Sequence, residues 1–169
     1  MKRILGYIGG AILALFVIIQ LIPMGRNHTN PPVVQEPEWD SDQTRELVAR
    51  ACFDCHSHET TWPWYANVAP MSWVTERHVT EGREHLNFSD WGDGHHEDFE
   101  DISEVVIDGE MPLPAYLLGH PNAQLTAAEQ QQMLDGLRAT IGTHDDHHGG
   151  DDDHHGDDDD HHGDDDHGH

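Results

Sequence analysis

The sequence has 169 residues, with 33 Asp and Glu against 8 Lys and Arg and a formal net charge of -25 at pH 7. This balance excludes the nucleic-acid-binding classes, because contacts to phosphates need clustered Lys and Arg, and it leaves a basic protein as an acceptable partner. The 2 cysteines are separated by two residues, which excludes a framework of several disulfides.

The N-terminus predicts a membrane segment. Lys2 and Arg3 precede an uncharged run, residues 4–22, in which Gln20 is the only strongly polar residue. As a helix this run would rise about 28 Å, close to the roughly 30 Å hydrocarbon core of a bilayer. No A-x-A-like cleavage site follows, so we favour an uncleaved anchor over a signal peptide for residues 1–26. A buried core helix is the weaker alternative, because a small acidic domain has little core to cover a helix that is apolar on all faces.

Residues 27–39 predict a linker. They are polar and contain Pro31, Pro32 and Pro37, a composition that favours an extended spacer between the membrane and the domain.

Residues 40–142 predict a small all-α domain, since apolar residues recur at helical spacing and no alternating strand pattern competes. Asp40 or Ser41 is predicted to cap a helix that runs to Cys52, and Ser72 to cap a second helix that runs to about Glu84. Two further helices are predicted from about Glu97 to Ile107, with Gly109 as the stop, and from a Thr126–Glu129 capping box to Gly142.

The segment Cys52-Phe53-Asp54-Cys55-His56 has the pattern C-x-x-C-H. Two thiols at this spacing can add to the two vinyl groups of one porphyrin while the imidazole reaches the iron, so the pattern predicts one covalent haem c. A redox dithiol would need a βαβ context, and a zinc site would need two further ligands. The export segment favours haem, because cytochrome c maturation takes place on the far side of the membrane.

The iron needs a sixth ligand or an open site, and Met111 is the best candidate. It lies 55 residues after His56, between Gly109 and Pro114, where prolines stiffen the loop. Met71 and Met133 are rivals, and Met133 is better explained as core because it belongs to the apolar stripe of the last helix. Four histidines that could also ligate iron are each better explained as surface or structural: His58, His78, His85 and His120.

Aromatic residues are dense after the motif, at Trp62, Trp64, Tyr65 and Trp73. Their faces can pack on a porphyrin and their polar atoms can reach a propionate, so we predict Trp62, Trp64 and Tyr65 as cofactor-binding. Ordinary core packing is the alternative.

The C-terminal tail, residues 143–169, is a low-complexity segment. From residue 144 onwards it holds 12 Asp and 9 His with Gly and no apolar residue, so it should be disordered. Its histidines are candidate ligands for Zn²⁺, Cu²⁺ or Ni²⁺, and a purely solubilising acidic brush is the alternative. The candidate tail ligands are His147, His148, His154, His155, His161 and His162.

These motifs together resemble the small bacterial haem-binding domains of the class I cytochrome c type, found in exported or membrane-anchored proteins. The resemblance extends over nearly all of residues 40–141, and the segments that carry it are Ala51–Ser57, Thr61–Tyr65, Ala69–Pro70, Glu84–Ser89 and Gly109–Tyr116. The resemblance implies a cytochrome c-like helical fold around one haem, with His56 and Met111 as axial ligands.

His/Met ligation fills both axial positions and raises the reduction potential, so we expect an electron carrier and not an enzyme. Its redox partner is unidentified, and its domain should face the periplasm from the bacterial inner membrane. The alternative is a haem-based sensor or binding module with an open sixth site, of which peroxidase-like turnover would be a special case.

Overall fold

Helices make up the regular structure of residues 1–93 and 98–142, the part of the chain that the computed structural model describes. The α-helices are α1 (Lys2–Ile19), α2 (Asp42–Ala51), α3 (Phe53–His56), α4 (Met71–His85), α5 (Phe99–Ile107), α6 (Pro114–Gly119) and α7 (Ala127–Ile141). Short 3-10 helices lie at Trp64–Asn67, Trp91–Asp93 and Pro121–Ala123. Within these ranges the β structure is one isolated parallel bridge, between Gln35 and Asp90. The predicted all-α class is confirmed.

Helix α1 stands apart from the core. It is the one helix in the described ranges that is long and apolar enough to cross a membrane, and none of its residues is buried. A membrane span and a signal sequence both fit these properties. The helix ends at Ile19, and the rest of the apolar run continues as a turn in which the N–H groups of Gln20, Leu21 and Ile22 donate to Val17, Ile18 and Ile19.

The core lies where α2 crosses α7. Gly136 of α7 is buried against Thr44 of α2, and a Cβ at Gly136 would lie 2.7 Å from the Thr44 methyl carbon. The two helices approach this closely because Gly136 has no side chain. Buried apolar residues from α2, α3, α5, α7 and the segment after α4 fill the space around this crossing: Leu47, Val48, Phe53, Phe88, Phe99, Ile102, Val106, Met133, Leu134 and Leu137.

Local capping signals predicted three helices well. Ser41 caps α2, since its hydroxyl accepts a hydrogen bond from the Thr44 N–H at 3.2 Å. The Thr126–Glu129 capping box at the start of α7 is present in both directions. Gly109 follows α5 with a φ of 73°, the left-handed conformation that glycine adopts without strain.

The predicted start of α4 is wrong. The helix begins at Met71 with Pro70 before it, and Ser72 lies inside the helix as a buried residue. No hydrogen-bond partner of the Ser72 hydroxyl is present among the described residues, so it caps nothing. Pro70 sets the start instead, because its ring holds φ near the helical value.

Residues 27–39, predicted as a spacer, lie against the domain. The N–H groups of Val34 and Gln35 both donate to the Ser89 carbonyl, at 2.8 and 3.1 Å, and Trp91 donates back to Gln35. Trp39 packs on the core rings of Phe53 and Phe88. Prolines keep this segment extended, but its remaining amides and its tryptophan find partners on the domain surface.

Candidate functional site

The CxxCH motif begins at the C-terminus of α2 and continues as α3. Cys52 is the C-cap of α2, and its N–H donates to the Val48 carbonyl. Phe53 turns into the core, where its ring lies 5.8 Å from that of Phe88. Burial of this one side chain leaves Cys52, Cys55 and His56 half-buried around the same short turn. The prediction that the motif lies at a helix C-terminus is confirmed.

The ring of His56 is oriented by the C-terminal end of α4. Its Nδ1 lies 2.9 Å from the Gly82 carbonyl oxygen and 3.1 Å from the Leu86 carbonyl oxygen. Both partners are acceptors, so the neutral ring carries its proton on Nδ1 and the lone pair on Nε2. Histidines that ligate metals are held in this way, since a donated Nδ1 hydrogen bond fixes both the tautomer and the ring plane.

Helix α4 contacts the motif closely at Gly82. A Cβ at this position would lie 2.7 Å from the carbonyl oxygen of Cys55 and 3.2 Å from its Cβ. Any side chain would therefore push α4 away from the motif. The absence of a side chain brings the carbonyls of Gly82 and Leu86 within reach of His56.

Both cysteines are free thiols. Burial raises the pKa of Cys52 to about 12, with a smaller contribution from Cys55. Burial also raises the pKa of Cys55 to about 11, together with the negative charge of Asp54. The pair is therefore held as protonated thiols, the form that adds its S–H across a vinyl group.

Arg83 joins three segments around the motif. Its guanidinium donates to the carbonyl of Ser57 at 2.7 Å, the hydroxyl of Thr60 at 2.9 Å, the carbonyl of Thr29 at 3.2 Å and the amide oxygen of Asn30 at 3.0 Å. Burial lowers the pKa of Arg83 from its ordinary value. The residues before the domain and those after the motif are thus bound to the same side chain of α4.

Asp54 connects the motif to α6. One carboxylate oxygen accepts from the Thr61 N–H at 2.8 Å, and the other accepts from the Tyr116 hydroxyl at 2.7 Å. Burial, followed by this hydrogen bond, raises the pKa of Tyr116, so the hydroxyl stays a donor. Tyr116 stacks on His120 with ring centroids 4.0 Å apart. The Tyr65 hydroxyl lies 3.5 Å from Nε2 of the same imidazole.

The candidate sixth ligands differ in their surroundings. Met111 is exposed, and its N–H donates to the Val105 carbonyl at 3.0 Å. Met71 is also exposed, at the first turn of α4, whereas Met133 is 1% exposed and belongs to the core, as predicted. The ring of His58 is engaged on both sides, by the Pro32 carbonyl and the Asn87 side chain. Met111 as the ligand remains a prediction.

The aromatic residues predicted to contact the cofactor make other contacts in the described ranges. Trp62 stacks on His28 at 4.3 Å and donates to the Asn30 side chain. Trp64 is 79% exposed with its ring against Tyr65. Their packing on a porphyrin therefore remains a prediction.

The tail histidines that could bind transition metals, residues 147–162, lie outside the described residues. Within the described residues there is no group of three or more His, Cys, Asp or Glu placed to hold a metal ion.

Sequence reasoning missed the supporting residues of the motif. Gly82, Arg83 and Tyr116 lie 27 to 61 residues after Cys55, and no local pattern connects them to it. Asp54 was visible as the residue before Cys55, but its partner Tyr116 follows 62 residues later. Only the folded chain brings them together.

Comparison with known proteins supports one cofactor class. A family model described as a haem-binding domain matches residues 14–139, which include the end of α1 and all of the helical domain except its last residues. None of the curated proteins or solved structures compared with the chain matches it.

Proposed function

This chain belongs to the haem-binding domain family, and on that premise we propose that it is a membrane-anchored c-type cytochrome that transfers electrons through one covalent haem. The observation that carries the proposal is the double hydrogen bond that holds the His56 ring by Nδ1. This arrangement suits Nε2 for an axial position on iron.

Covalent attachment is supported by the placement of Cys52 and Cys55. They are free cysteines that lie half-buried on the same short turn as His56. When bound, the haem would supply the redox chemistry. The chain would hold it through two thioether bonds and one imidazole, with Gly82 and Leu86 keeping the imidazole in orientation.

We propose Met111 as the sixth ligand. The Asp54–Tyr116 hydrogen bond ties α6, which begins three residues after Met111, to the attachment motif. The Met111 backbone is also fixed, by its hydrogen bond to Val105 at the end of α5. His56 and Met111 would together hold the iron and leave no position for a substrate, which supports electron transfer as the function.

The charge distribution favours a basic redox partner. Residues 84–137 contain 12 Asp and Glu and no Lys or Arg. This acidic part of the chain would attract a positively charged protein and accelerate its association. The partner would meet the domain in the periplasm, if α1 anchors the chain in the inner membrane with Lys2 and Arg3 in the cytoplasm.

Haem staining of a denaturing gel tests attachment. Wild-type protein from a host with working cytochrome c maturation should keep its haem after denaturation, and the Cys52→Ala, Cys55→Ala double variant should lose it. A wild-type protein that carries zinc and no haem would refute the proposal.

Ligand-exchange spectroscopy tests the axial assignment. Met111→Ala should open the site, lower the reduction potential and admit carbon monoxide or cyanide, whereas Met71→Ala should leave the spectrum unchanged. The reverse result would reassign the ligand. Rapid cyanide binding by the wild type would instead favour a sensor with an open site.

A further inference from the structure

The end of α1 is joined to the domain by a side-chain amide. Gln20 Nε2 donates to the Ala69 carbonyl at 2.9 Å, and the Ala69 N–H donates to Gln20 Oε1 at 3.0 Å. Both bonds are partly buried. The most polar side chain of the apolar run therefore uses its donor and its acceptor on one backbone position of the segment before α4.

A second joint follows five residues later. Gly25 is buried with a φ of 72°, and a Cβ there would lie 2.5 Å from both the Ser72 carbonyl oxygen and the Trp73 nitrogen. Arg26 closes the intervening turn by donating to the Gln20 carbonyl at 2.7 Å. The contacts of Gln20 and Gly25 lie on either side of this turn and hold the domain against the end of α1. No free linker therefore separates the domain from the helix.

Exposed apolar residues surround these joints. Leu21 and Met24 are exposed on the α1 side, and Met71 and Val74 are exposed on one face of α4. Met71 follows Ala69 by two residues, so their Cα atoms are no more than about 7.6 Å apart. We call these four residues the juxtamembrane face.

The charge pattern of the joined segments fits a lipid surface. Residues 60–75 contain no Asp, Glu, Lys or Arg, although the chain carries a net charge of -25. The one charged side chain within the turn, Arg26, is positive and exposed. An acidic face would be repelled by anionic headgroups, whereas a neutral apolar face with an arginine beside it is attracted to them.

We propose that the juxtamembrane face lies in the headgroup region of the bilayer that α1 spans, so that the domain rests on the membrane in one orientation. The occupant of this surface is the lipid. The inference rests on the proposed anchoring of α1 and adds to it a second contact, made by the folded domain itself.

Spin-label accessibility on the full-length holoprotein tests this contact. A single cysteine is introduced at Met71, Val74, Leu13 or Ala128, and the protein is placed in nanodiscs of phosphatidylethanolamine and phosphatidylglycerol. Unsubstituted holoprotein should take up no label, because its own thiols are bound to haem. Collisions with oxygen, which concentrates in lipid, are compared with collisions with a water-soluble nickel complex.

We expect the oxygen-to-nickel ratio at positions 71 and 74 to be several-fold higher than at position 128. Ala128 is the matched control, since it is exposed on α7, which contacts α2 and α5 but not α4. Gln20→Leu keeps α1 apolar but deletes both amide hydrogen bonds, and should lower the ratio at position 71.

Three outcomes would overturn the contact or its premise. Water-like ratios at 71 and 74 with a lipid-like ratio at Leu13 would refute the contact while the anchor stands. Labels at 71 and 74 that reach neither reagent would show that haem or protein covers this face. A water-like ratio at Leu13 would refute the anchoring of the proposed function instead.

Discussion

Tyr116→Phe removes the side-chain hydrogen bond that joins Asp54 of the CxxCH motif to α6. The hydroxyl donates to Asp54 at 2.7 Å in a partly buried position, and the remaining ring can keep its stacking on His120. The substitution therefore deletes a bond and little volume. We expect lower stability and a less firmly held Met111 loop.

The size of the effect follows from the type of bond. A hydrogen bond to a charged acceptor contributes roughly 1.5–3 kcal/mol. Asp54 keeps its bond to the Thr61 N–H and gains access to water, so the lower end applies, about 1.5 kcal/mol. For a domain of about 100 residues, this loss lowers the melting temperature by about 6–12 °C.

Thermal unfolding in detergent, followed by far-ultraviolet circular dichroism, measures the loss. Tyr65→Phe is the matched control, because its hydroxyl lies 3.5 Å from His120, at the limit of a hydrogen bond, and should contribute little. The near-infrared band of methionine-ligated ferric haem reports on the loop and should weaken in Tyr116→Phe. Equal melting temperatures for the two variants would refute the argument.

Gly136→Ala should destabilise the domain by about 1–3 kcal/mol in urea titrations, because the new methyl group would overlap Thr44 where α2 crosses α7. Adding Thr44→Ala to the same chain should recover part of this loss. Glu129 has a pKa lowered to about 2 by the Thr126 backbone N–H, so its stabilising contribution is complete above its ordinary value of 4.5 and is lost as the pH falls towards 2. In Glu129→Gln the free energy of unfolding should therefore change less with pH between about 4.5 and 2 than it does in the wild type. Deleting residues 144–169 should abolish Zn²⁺ uptake in calorimetry and leave the haem spectrum unchanged, and equal uptake by both chains would contradict a metal-binding tail.

Helices specified by local signals were predictable from the sequence. The capping box of α7 involves residues three apart, and Gly142 follows the helix with a φ of 74°, so both signals lie at the ends of the helix that they specify. Helix α4 shows where such signals compete. Ser72 resembles a cap, but Pro70 occupies the cap position two residues earlier, and the serine becomes buried inside the helix.

The supports of the site were not predictable, because they join distant segments. The composition of residues 27–39 indicated an extended chain and gave no sign of the surface that accepts it. In the same way, α6 begins at Pro114, which we interpreted only as a stiffener of the Met111 loop. The same proline can stiffen a loop or begin a helix, and its contacts with neighbouring segments decide which of the two it does.

Arg83 places a positive charge next to the CxxCH motif of an acidic chain. The chain has a net charge of -25, yet the residue after His56 is bound by a half-buried guanidinium whose four hydrogen bonds all end on neutral oxygens. Neutral acceptors satisfy its N–H groups without cancelling its charge. A positive charge beside a redox centre opposes the extra charge of the oxidised state, so Arg83 would make an electron held here harder to remove, whatever the acidic surface contributes.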